Sequence, residues 1–291
     1  MSTAGEGGGG GGGLVALRDG ARLFVKELGD GDRSKQLVIA LHGSPGVSDH
    51  REPESAFGFL TSRYRVLVYD ARGSGRSDLK GPYTHHRWTA DIDELRIRAG
   101  SEPIILAGAA YGGFVALEYA IKYPSYVSAL ILRDTWASGP KGTMYALKAS
   151  LTCPDLEVDP DRQYRAWTGT LHSNDDLRAA LREILPACPL VQADGEDGKL
   201  QLHYETHNFA MSYNQPRFDV RPSIREVYMP TLILAGRRHP TIPVQFSDEM
   251  HRLMPNSQLT VFEDAGRLDL PAEEPVAFQE RVHKFLEHFR L

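Results

Sequence analysis

The segment Gly108-Ala109-Ala110-Tyr111-Gly112-Gly113 joins two stretches of opposite character. Residues 103–107 form a short apolar run typical of a buried strand, and residues 114–122 follow a helical pattern. A sharp strand-to-helix turn needs small residues around one projecting position, because larger side chains would collide with the neighbouring elements. The projecting position here is Ala110, so this turn is expected to present a methyl group.

Outward from this turn, short apolar runs alternate with helical patterns. Continuous apolar runs are typical of strands that are covered on both faces. The predicted strands are residues 14–17, 22–28, 36–41, 64–69, 103–107, 129–132, 231–235 and 258–262, and the predicted helices lie around 57–60 and at 90–98, 114–122 and 276–289. This alternation predicts an α/β fold with a doubly wound, mostly parallel sheet and right-handed crossovers.

The alternation stops between residues 135 and 228, where helical, polar and proline-rich segments take over. We therefore predict a core made of residues 14–134 and 229–291, with a helical lid inserted at 135–228. The glycine tract Gly7–Gly13 carries high backbone entropy, which predicts a disordered tail over residues 1–13.

Two further motifs follow predicted strands. His42-Gly43-Ser44-Pro45-Gly46 comes after strand 36–41, and Asp70-Ala71-Arg72-Gly73-Ser74-Gly75-Arg76-Ser77 comes after strand 64–69. In this order and spacing, the motifs resemble the α/β-hydrolase superfamily, and its proline-iminopeptidase-like branch in particular. They are similar to that branch's His-Gly-Gly-Pro-Gly oxyanion loop and Asp-x-Arg-Gly-x-Gly-x-Ser turn, and Tyr111-Gly112-Gly113 is similar to the end of its Gly-x-Ser-x-Gly-Gly elbow.

The resemblance covers nearly all of the chain from Leu14 and implies a Ser-His-Asp triad, from which this sequence departs. Ala110 stands at the nucleophile position, His239 at the position of the acid, and Arg267 at the position of the histidine. Asp134 follows an earlier strand, where some hydrolases place the acid. A methyl group has no lone pair and no proton to lose, so acyl-enzyme chemistry at Ala110 is excluded.

The oxyanion hole of this fold is built from backbone N–H groups, which the resemblance assigns to Ser44 and Tyr111. Preorganised donors of this kind are usually the largest single catalytic contribution. Together with the Arg267 cation and the His239 imidazole, they suit an enolate or a polarised carbonyl. We therefore favour a cyclisation, isomerisation or lyase-type reaction, plausibly in biosynthesis. Its substrate class, a carbonyl-bearing and largely apolar small molecule, rests on analogy with other re-used hydrolase folds.

The segment from His203 to Phe209 resembles the lid helix with which iminopeptidases help to hold a substrate amine. Glu205 is the best candidate for that contact, and packing of the lid onto the core is the alternative for the whole segment. The predicted substrate-binding residues are Gly43, Ala110, Asp134, Trp167, Tyr204, Glu205 and Asn208.

Two other functions remain open at this stage. The chain could be a proline-iminopeptidase-like hydrolase inactivated by substitution of its nucleophile, or a ligand-binding or scaffold protein without turnover. In the scaffold case, His239 and Arg267 would form a satisfied polar pair. An open apolar pocket ending at Ser44, Ala110 and Arg267 would favour the enzyme, whereas a pocket sealed by side chains would favour the scaffold.

The composition limits the classes of partner that are expected. The chain has 291 residues, 41% hydrophobic and 24% charged, with a formal net charge of -5 and no long run of Lys and Arg that could follow phosphates. This argues against nucleic acid and for a small-molecule substrate, and the oligomeric state stays open. No apolar run reaches the ~18 residues that a membrane span needs. Together with a start unlike a signal peptide, this predicts a cytoplasmic protein.

No metal or organic cofactor is expected. Cys153 and Cys188 lack the spacing of metal ligands and are too few for a disulfide framework. The pair His85-His86 is interpreted as a solvated loop.

Overall fold

A single eight-stranded sheet organises the chain in the computed structural model, which describes residues 11–100, 103–185, 201–266 and 269–291. Residues 1–10 of the predicted tail lie outside this part, and Gly13 already begins the first strand. The strands are β1 (Gly13–Ala16), β2 (Arg22–Leu28), β3 (Leu37–Leu41), β4 (Arg65–Tyr69), β5 (Ile104–Ala109), β6 (Val127–Arg133), β7 (Thr231–Gly236) and β8 (Ser257–Phe262).

The strand order is β1-β2-β4-β3-β5-β6-β7-β8. β1 pairs with β2 and β2 with β4 in antiparallel fashion, and the strands from β4 to β8 are parallel. β3 lies in the middle, with Ile39 opposite Leu67 of β4 and Leu106 of β5. This confirms the predicted doubly wound, mostly parallel sheet. The carboxyl ends of β3, β5, β6 and β7 therefore meet at one edge, where open α/β sheets bind their ligands.

Helices cover both faces of the sheet. They are α1 (Arg51–Phe57), α2 (His85–Ala99), α3 (Tyr111–Lys122), α4 (Gly139–Thr152), α5 (Pro160–Thr168), α6 (Asn174–Ile184), α7 (Tyr204–Phe209), α8 (Gln245–Leu253), α9 (Leu270–Glu273) and α10 (Pro275–His288). On one face, α2, α3 and α8 bury side chains such as Trp88, Phe114 and Phe246. On the other face, α1 and α10 bury Phe57 and Phe285. Burial of each such side chain stabilises the fold by about 1.5–3 kcal/mol.

The first helix begins earlier than the sequence pattern predicted. A helix was expected around residues 57–60, whereas α1 ends at Phe57 and a 3-10 segment, Gly58–Ser62, follows it. The polar start of α1 is stabilised by tertiary ion pairs, Glu52 with Arg133 and Glu54 with Lys26. Pairing with distant residues leaves no apolar periodicity in the local sequence.

The segment between β6 and β7 contributes α4 to α7, and α7 packs directly on the loop that follows β3. The His203 N–H donates to the Gly46 carbonyl at 2.8 Å, and the Gly46 N–H donates to Ser74 Oγ at 2.8 Å. Gly46 has φ +70°, and a Cβ atom there would lie 2.4 Å from the His203 oxygen. Glycine at this position allows the backbone of α7 to approach the loop.

Gly46→Ala is expected to lower the free energy of unfolding by about 3 kcal/mol, as the left-handed backbone and the collision with His203 both oppose a Cβ. Gly31→Ala is the matched control, because Gly31 has φ +73° and an added Cβ meets nothing within 4 Å. It should cost only the left-handed penalty, about 1–2 kcal/mol. Urea denaturation of both variants checks this, and equal losses would contradict the packing of α7 on the loop.

None of the described helices combines the length and apolar character that a membrane crossing requires.

Candidate functional site

A strained turn joins β5 to α3 at Ala110. Its backbone has φ 46° and ψ -116°, a left-handed conformation that L-residues rarely adopt. The Ala110 N–H donates to the Arg133 carbonyl at 2.9 Å, and the Ala110 carbonyl accepts from Gly113 N–H at 3.0 Å and from Thr135 Oγ1 at 2.8 Å. Contacts from β6 and from the loop after it thus hold the turn in place.

Glycine is needed at two positions beside this turn. A Cβ at Gly108 would lie 2.6 Å from the Gly112 carbonyl oxygen, and a Cβ at Gly112 would lie 2.4 Å from the His42 carbonyl oxygen. The turn therefore has the close packing that projects one side chain from the sheet edge. The side chain at its tip is the Ala110 methyl.

The loop after β3 lies against this tip. A Cβ built at Gly43 would be 3.9 Å from the Ala110 Cβ. The structure gives the backbone N–H groups of Ser44 and Tyr111 no acceptor among the residues it describes. Two unpaired N–H groups near a common point can bind a negatively charged oxygen. The predicted donors are therefore free for such a role.

The histidine of the same loop is fixed in the core. His42 is buried, and its Nε2 accepts the Ala71 N–H at 3.0 Å. Burial lowers the pKa of His42, so the ring is neutral. Because its Nε2 already accepts a hydrogen bond, His42 positions the loop and cannot act as a base from that atom.

The side chain of Tyr111 points away from the predicted hole. Its hydroxyl lies 2.8 Å from His85 Nε2 and is buried, and burial raises the pKa of Tyr111 well above its usual value. His85 Nδ1 lies 2.9 Å from Glu118. The interpretation of His85-His86 as a solvated loop is thus wrong, because both residues belong to α2; His85 is buried, and His86 is exposed. Thr84 caps this helix, and the partners that bury His85 come from α3.

Asp134 follows β6 and is buried, with a left-handed φ of 42°. Its Oδ1 accepts the Gly236 N–H at 2.9 Å, which ties it to the end of β7. Burial is the largest influence and raises the pKa of Asp134 to about 7, against the lowering effect of that hydrogen bond and of Arg133. The sheet edge therefore holds a carboxyl group that can gain or lose a proton near neutral pH.

His239 occupies the turn after β7. Its Nδ1 accepts the N–H groups of Thr241 at 3.2 Å and Ile242 at 3.0 Å. The residue as a whole is partly buried, and loss of water around its imidazole, followed by the Arg133 charge, lowers the pKa of His239 to about 4. A neutral ring that accepts at Nδ1 carries its proton on Nε2. His239 thus takes the acceptor role that a carboxylate would take in this turn, and keeps an N–H donor.

Arg133 was not singled out by the sequence and is central to this edge. Its buried guanidinium pairs with Glu52 of α1 and with Asp269 just before α9. The sequence signal for it is a charged residue that ends an otherwise apolar strand. Thr135 was missed as well, because its bond to Ala110 involves a backbone oxygen that no sequence pattern marks.

Arg267 and its predicted role lie outside the described residues. Its neighbour Gly266 has φ +112°, and a Cβ there would lie 2.9 Å from the Gly236 Cα and 3.0 Å from the His239 nitrogen. The loop after β8 therefore packs against the turn that carries His239. Asp269, on the far side of that loop, pairs with Arg133.

The predicted substrate-binding residues of the inserted helices differ in availability. Trp167 is half-buried against the core, and its Nε1–H has no acceptor in the described part of the chain. Tyr204 packs on a small apolar cluster of α5 and α6, and Glu205 is exposed. The Asn208 amide accepts the Leu171 N–H at 3.1 Å and donates to the Leu171 carbonyl at 2.8 Å. Asn208 is therefore engaged within the insertion.

A cavity of about 20 Å³ lies behind the strained turn. Its volume is close to that of one water molecule. It is lined by core side chains that include Leu41, His42, Tyr69, Trp88, Tyr111 and Val115. Of the predicted site residues, Gly43 and Tyr111 line this cavity, whereas Ser44 and Ala110 do not.

One cluster has the composition of a metal site. Ligand atoms of Asp49, His50 and Asp70 lie within 4.8 Å of one another. Asp70 Oδ1 accepts the His50 N–H at 2.7 Å, Asp70 Oδ2 accepts the Arg76 N–H at 2.8 Å, and Asp49 pairs with Arg51. Protein groups thus satisfy these carboxylates, and the cluster stabilises the turn after β4.

Comparison with known proteins places this fold in a family. A family model described as alpha/beta hydrolase fold matches residues 36–273. The chain therefore belongs to the α/β-hydrolase family, as its motifs predicted. The proline iminopeptidase PfmaB of Pestalotiopsis fici is 30% identical, over 85% of this chain and 90% of that protein. The putative carbamate hydrolase RutD of Pseudomonas savastanoi pv. phaseolicola is 28% identical, over 86% of this chain and 93% of that protein.

Solved structures share the architecture at lower identity. VinJ superposes with a TM-score of 0.74 at 21% identity, over 96% of this chain and 99% of that chain. The esterase of Thermogutta terrifontis superposes with a TM-score of 0.69 at 23% identity, over 98% of this chain and 100% of that chain. These similarities support the fold, and the relatives support the proline-iminopeptidase-like branch.

Proposed function

We propose that this member of the α/β-hydrolase family is a non-hydrolytic enzyme that uses a retained oxyanion hole. Its substrate is a carbonyl-bearing, largely apolar small molecule, and its reaction is a cyclisation, isomerisation or lyase-type step in biosynthesis. The observation that carries the proposal is the strained turn with a methyl group at its tip. A left-handed φ at an alanine costs about 1–2 kcal/mol, yet no nucleophile at that position benefits from it.

What the turn still provides is backbone geometry. Tyr111 begins α3 directly after the turn, and the loop that carries Ser44 lies close to the turn, with a Cβ at Gly43 3.9 Å from the Ala110 Cβ. Hydrolases stripped of their triads keep roughly 10³–10⁴-fold catalysis from such donors and from binding. A reaction that only builds charge on a carbonyl oxygen needs these donors and no covalent intermediate.

The positions beside the turn suit the same chemistry. His239 keeps a neutral ring with a proton on Nε2, which can donate to a developing oxyanion. Arg267, at the position of the family histidine, is proposed from the sequence as a cation for the same oxygen, since a guanidinium stays protonated and makes a poor base. Trp167, with its unpaired Nε1–H, and the exposed Glu205 are the proposed contacts from the lid.

Hydrolysis is the activity that the relatives' names describe. The serine mechanism of this fold requires a hydroxyl at the tip of the turn, and the nucleophile must be activated by an adjacent base. Ala110 offers no hydroxyl, and the rings of His42 and His239 are neutral, each with its acceptor nitrogen already bonded to backbone N–H groups. The proposal therefore departs from the activity in the relatives' names at the chemical step.

p-Nitrophenolate, a stable oxyanion with a visible absorbance, tests the hole directly. Wild-type protein is expected to bind it. Gly43→Ala should weaken binding at least about tenfold, because a methyl group that keeps the ligand oxygen away from one N–H donor costs on the order of 2–4 kcal/mol of binding free energy. The added methyl would lie 3.9 Å from the Ala110 Cβ and 3.2 Å from Ser48 Oγ, so it narrows the hole without removing an N–H. Absorbance titration measures both affinities.

Gly58→Ala is the matched control, because an added Cβ there meets nothing within 4 Å. It should bind p-nitrophenolate like the wild type, and thermal melting should show that both variants are folded. Wild-type protein that does not bind the oxyanion, or a folded Gly43→Ala variant that binds it unchanged, would contradict the proposed hole.

A further inference from the structure

We infer that Asp134 is the proton-transferring residue of this site: its carboxylate takes a proton from the carbon next to the substrate carbonyl and returns it elsewhere on the substrate. The inference rests on the proposed function and gives its reaction a general base. The residue at this position in other hydrolases orients a histidine, whereas here the carboxylate would act on the substrate itself.

The position of Asp134 is the first support. The residues on either side of it hold the backbone of Ala110, through the Arg133 carbonyl at 2.9 Å and Thr135 Oγ1 at 2.8 Å. Its own carboxyl reaches the Gly236 N–H at the end of β7. The carboxyl therefore lies between the strained turn and the turn that carries His239, at the edge where the N–H donors are.

The second support is an available oxygen. Oδ1 accepts the Gly236 N–H, whereas Oδ2 has no hydrogen-bond partner in the described part of the chain. The residue is 8% exposed, so the carboxyl is largely shielded from water but still accessible. A buried carboxyl with an unused oxygen is costly, and such groups are typical of functional sites.

The third support is backbone strain at the same residue. Asp134 has φ 42°, and its N–H donates to the Leu234 carbonyl at 3.0 Å. Left-handed non-glycine residues cluster at active sites, where the surrounding structure holds them. Ala110 and Asp134 both adopt this conformation, and the Arg133 and Thr135 bonds link their backbones.

The charges around the carboxyl suit a base that works near neutral pH. Burial raises the pKa of Asp134 to about 7, Arg133 opposes that rise, and Asp269 and Glu273 add to it. His239, on the facing turn, is neutral. A general base is most effective when its pKa lies near the working pH.

The proposed step balances within the substrate. The Asp134 carboxylate takes the proton of the α-carbon and forms an O–H bond. The electron pair of the broken C–H bond forms a C=C bond between the α-carbon and the carbonyl carbon. The carbonyl π pair moves to oxygen, where the N–H groups of Ser44 and Tyr111 bind the enolate. The enolate then collapses, and the Asp134 carboxyl gives the proton back to carbon, so no co-reactant is consumed.

Exchange of α-protons into D2O measures this step without knowledge of the true product. With 2-tetralone, an apolar ketone, as the probe, wild-type protein should speed deuterium incorporation above the buffer rate, read by NMR. Asp134→Asn should slow the protein-dependent exchange by about 10²–10⁴-fold, the usual contribution of a general base. In the wild type, the rate should rise as the pH passes about 7 and then level off, because only the carboxylate is active.

Asp78→Asn is the control, a carboxylate that pairs with Arg22 in the turn after β4, away from this edge. Per folded molecule, it should keep exchange within a few-fold of wild type. Exchange by folded Asp134→Asn at the wild-type rate would overturn the assignment. So would absence of exchange by wild-type protein when 2-tetralone displaces bound p-nitrophenolate. Failure of the wild type to bind p-nitrophenolate is a different result, which overturns the proposed function and this inference with it.

Discussion

Asp134→Asn is expected to raise the free energy of unfolding at alkaline pH by up to about 4 kcal/mol and to change it little in acid. Asparagine keeps the acceptor for the Gly236 N–H and tolerates the left-handed φ of 42°. It has no charge to bury. The gain therefore measures what the wild-type protein loses by burying a carboxylate.

The direction follows from the two protonation states. Burial raises the pKa of Asp134 from 3.8 to about 7 in the folded protein. Below about pH 4 the carboxyl is protonated in both states and costs nothing extra. As the pH rises toward about 7, the unfolded chain ionises first, so wild-type stability falls over this window. The variant lacks that contribution, and the difference between the two proteins should grow with pH.

Urea denaturation of wild type and variant at several pH values measures the difference. Asp78→Asn is a contrasting control, because the side chain of Arg22 lowers the pKa of Asp78 and the wild-type carboxylate is stabilising there. Its loss of stability should appear as the pH rises. If Asp134→Asn gains nothing at alkaline pH, the carboxylate is compensated by another group and is a structural residue. A buried carboxyl that destabilises the fold is typical of a functional site.

The strands were predictable because their residues meet the same environment on both faces. The run that forms β3, Leu37–Leu41, is buried at every position, so its uniform apolar character marks it without help from distant residues. The glycines of the turn were equally readable, since Gly108 and Gly112 are required by contacts within the turn and with the adjacent strand. Local sequence records these constraints directly.

The site was only partly predictable, because its properties depend on residues far apart in the chain. The raised pKa of Asp134 arises from burial against the opposing hydrogen bond from Gly236, and the neutral state of His239 arises from burial and Arg133. Nothing near either residue in the sequence signals this. Likewise, His85 was taken for a surface residue because its partners, Tyr111 and Glu118, belong to another helix. The sequence identifies the side chains of the site, but their surroundings could not be predicted from it.

Ala110→Ser alone is expected to leave hydrolysis of p-nitrophenyl acetate at the solution rate, as in the wild type. The turn would present a hydroxyl, but a serine hydroxyl is a weak nucleophile without an adjacent base. The carboxyl of Asp134, the proposed base for the α-carbon, is bonded to the Gly236 N–H and makes no contact with the Ala110 side chain in the described part of the chain. His239 cannot supply one, because its Nδ1 accepts two N–H groups and its Nε2 carries the proton. Arg267 cannot supply one either, because its guanidinium stays protonated.

The triple variant Ala110→Ser, His239→Asp, Arg267→His is expected to show burst release of nitrophenol and turnover at least about 10²-fold above Ala110→Ser, since triad members act as a unit. An aspartate at 239 would accept the N–H groups of Thr241 and Ile242 as the imidazole does, so the turn should keep its shape. The double variant that retains Ala110 is the control and should stay inactive, because it has a base and no nucleophile. A burst from Ala110→Ser alone would show that another group activates the hydroxyl. Asp134 would then be the first residue to replace. Loss of the burst in the double variant Ala110→Ser, Asp134→Asn would identify Asp134 as that base.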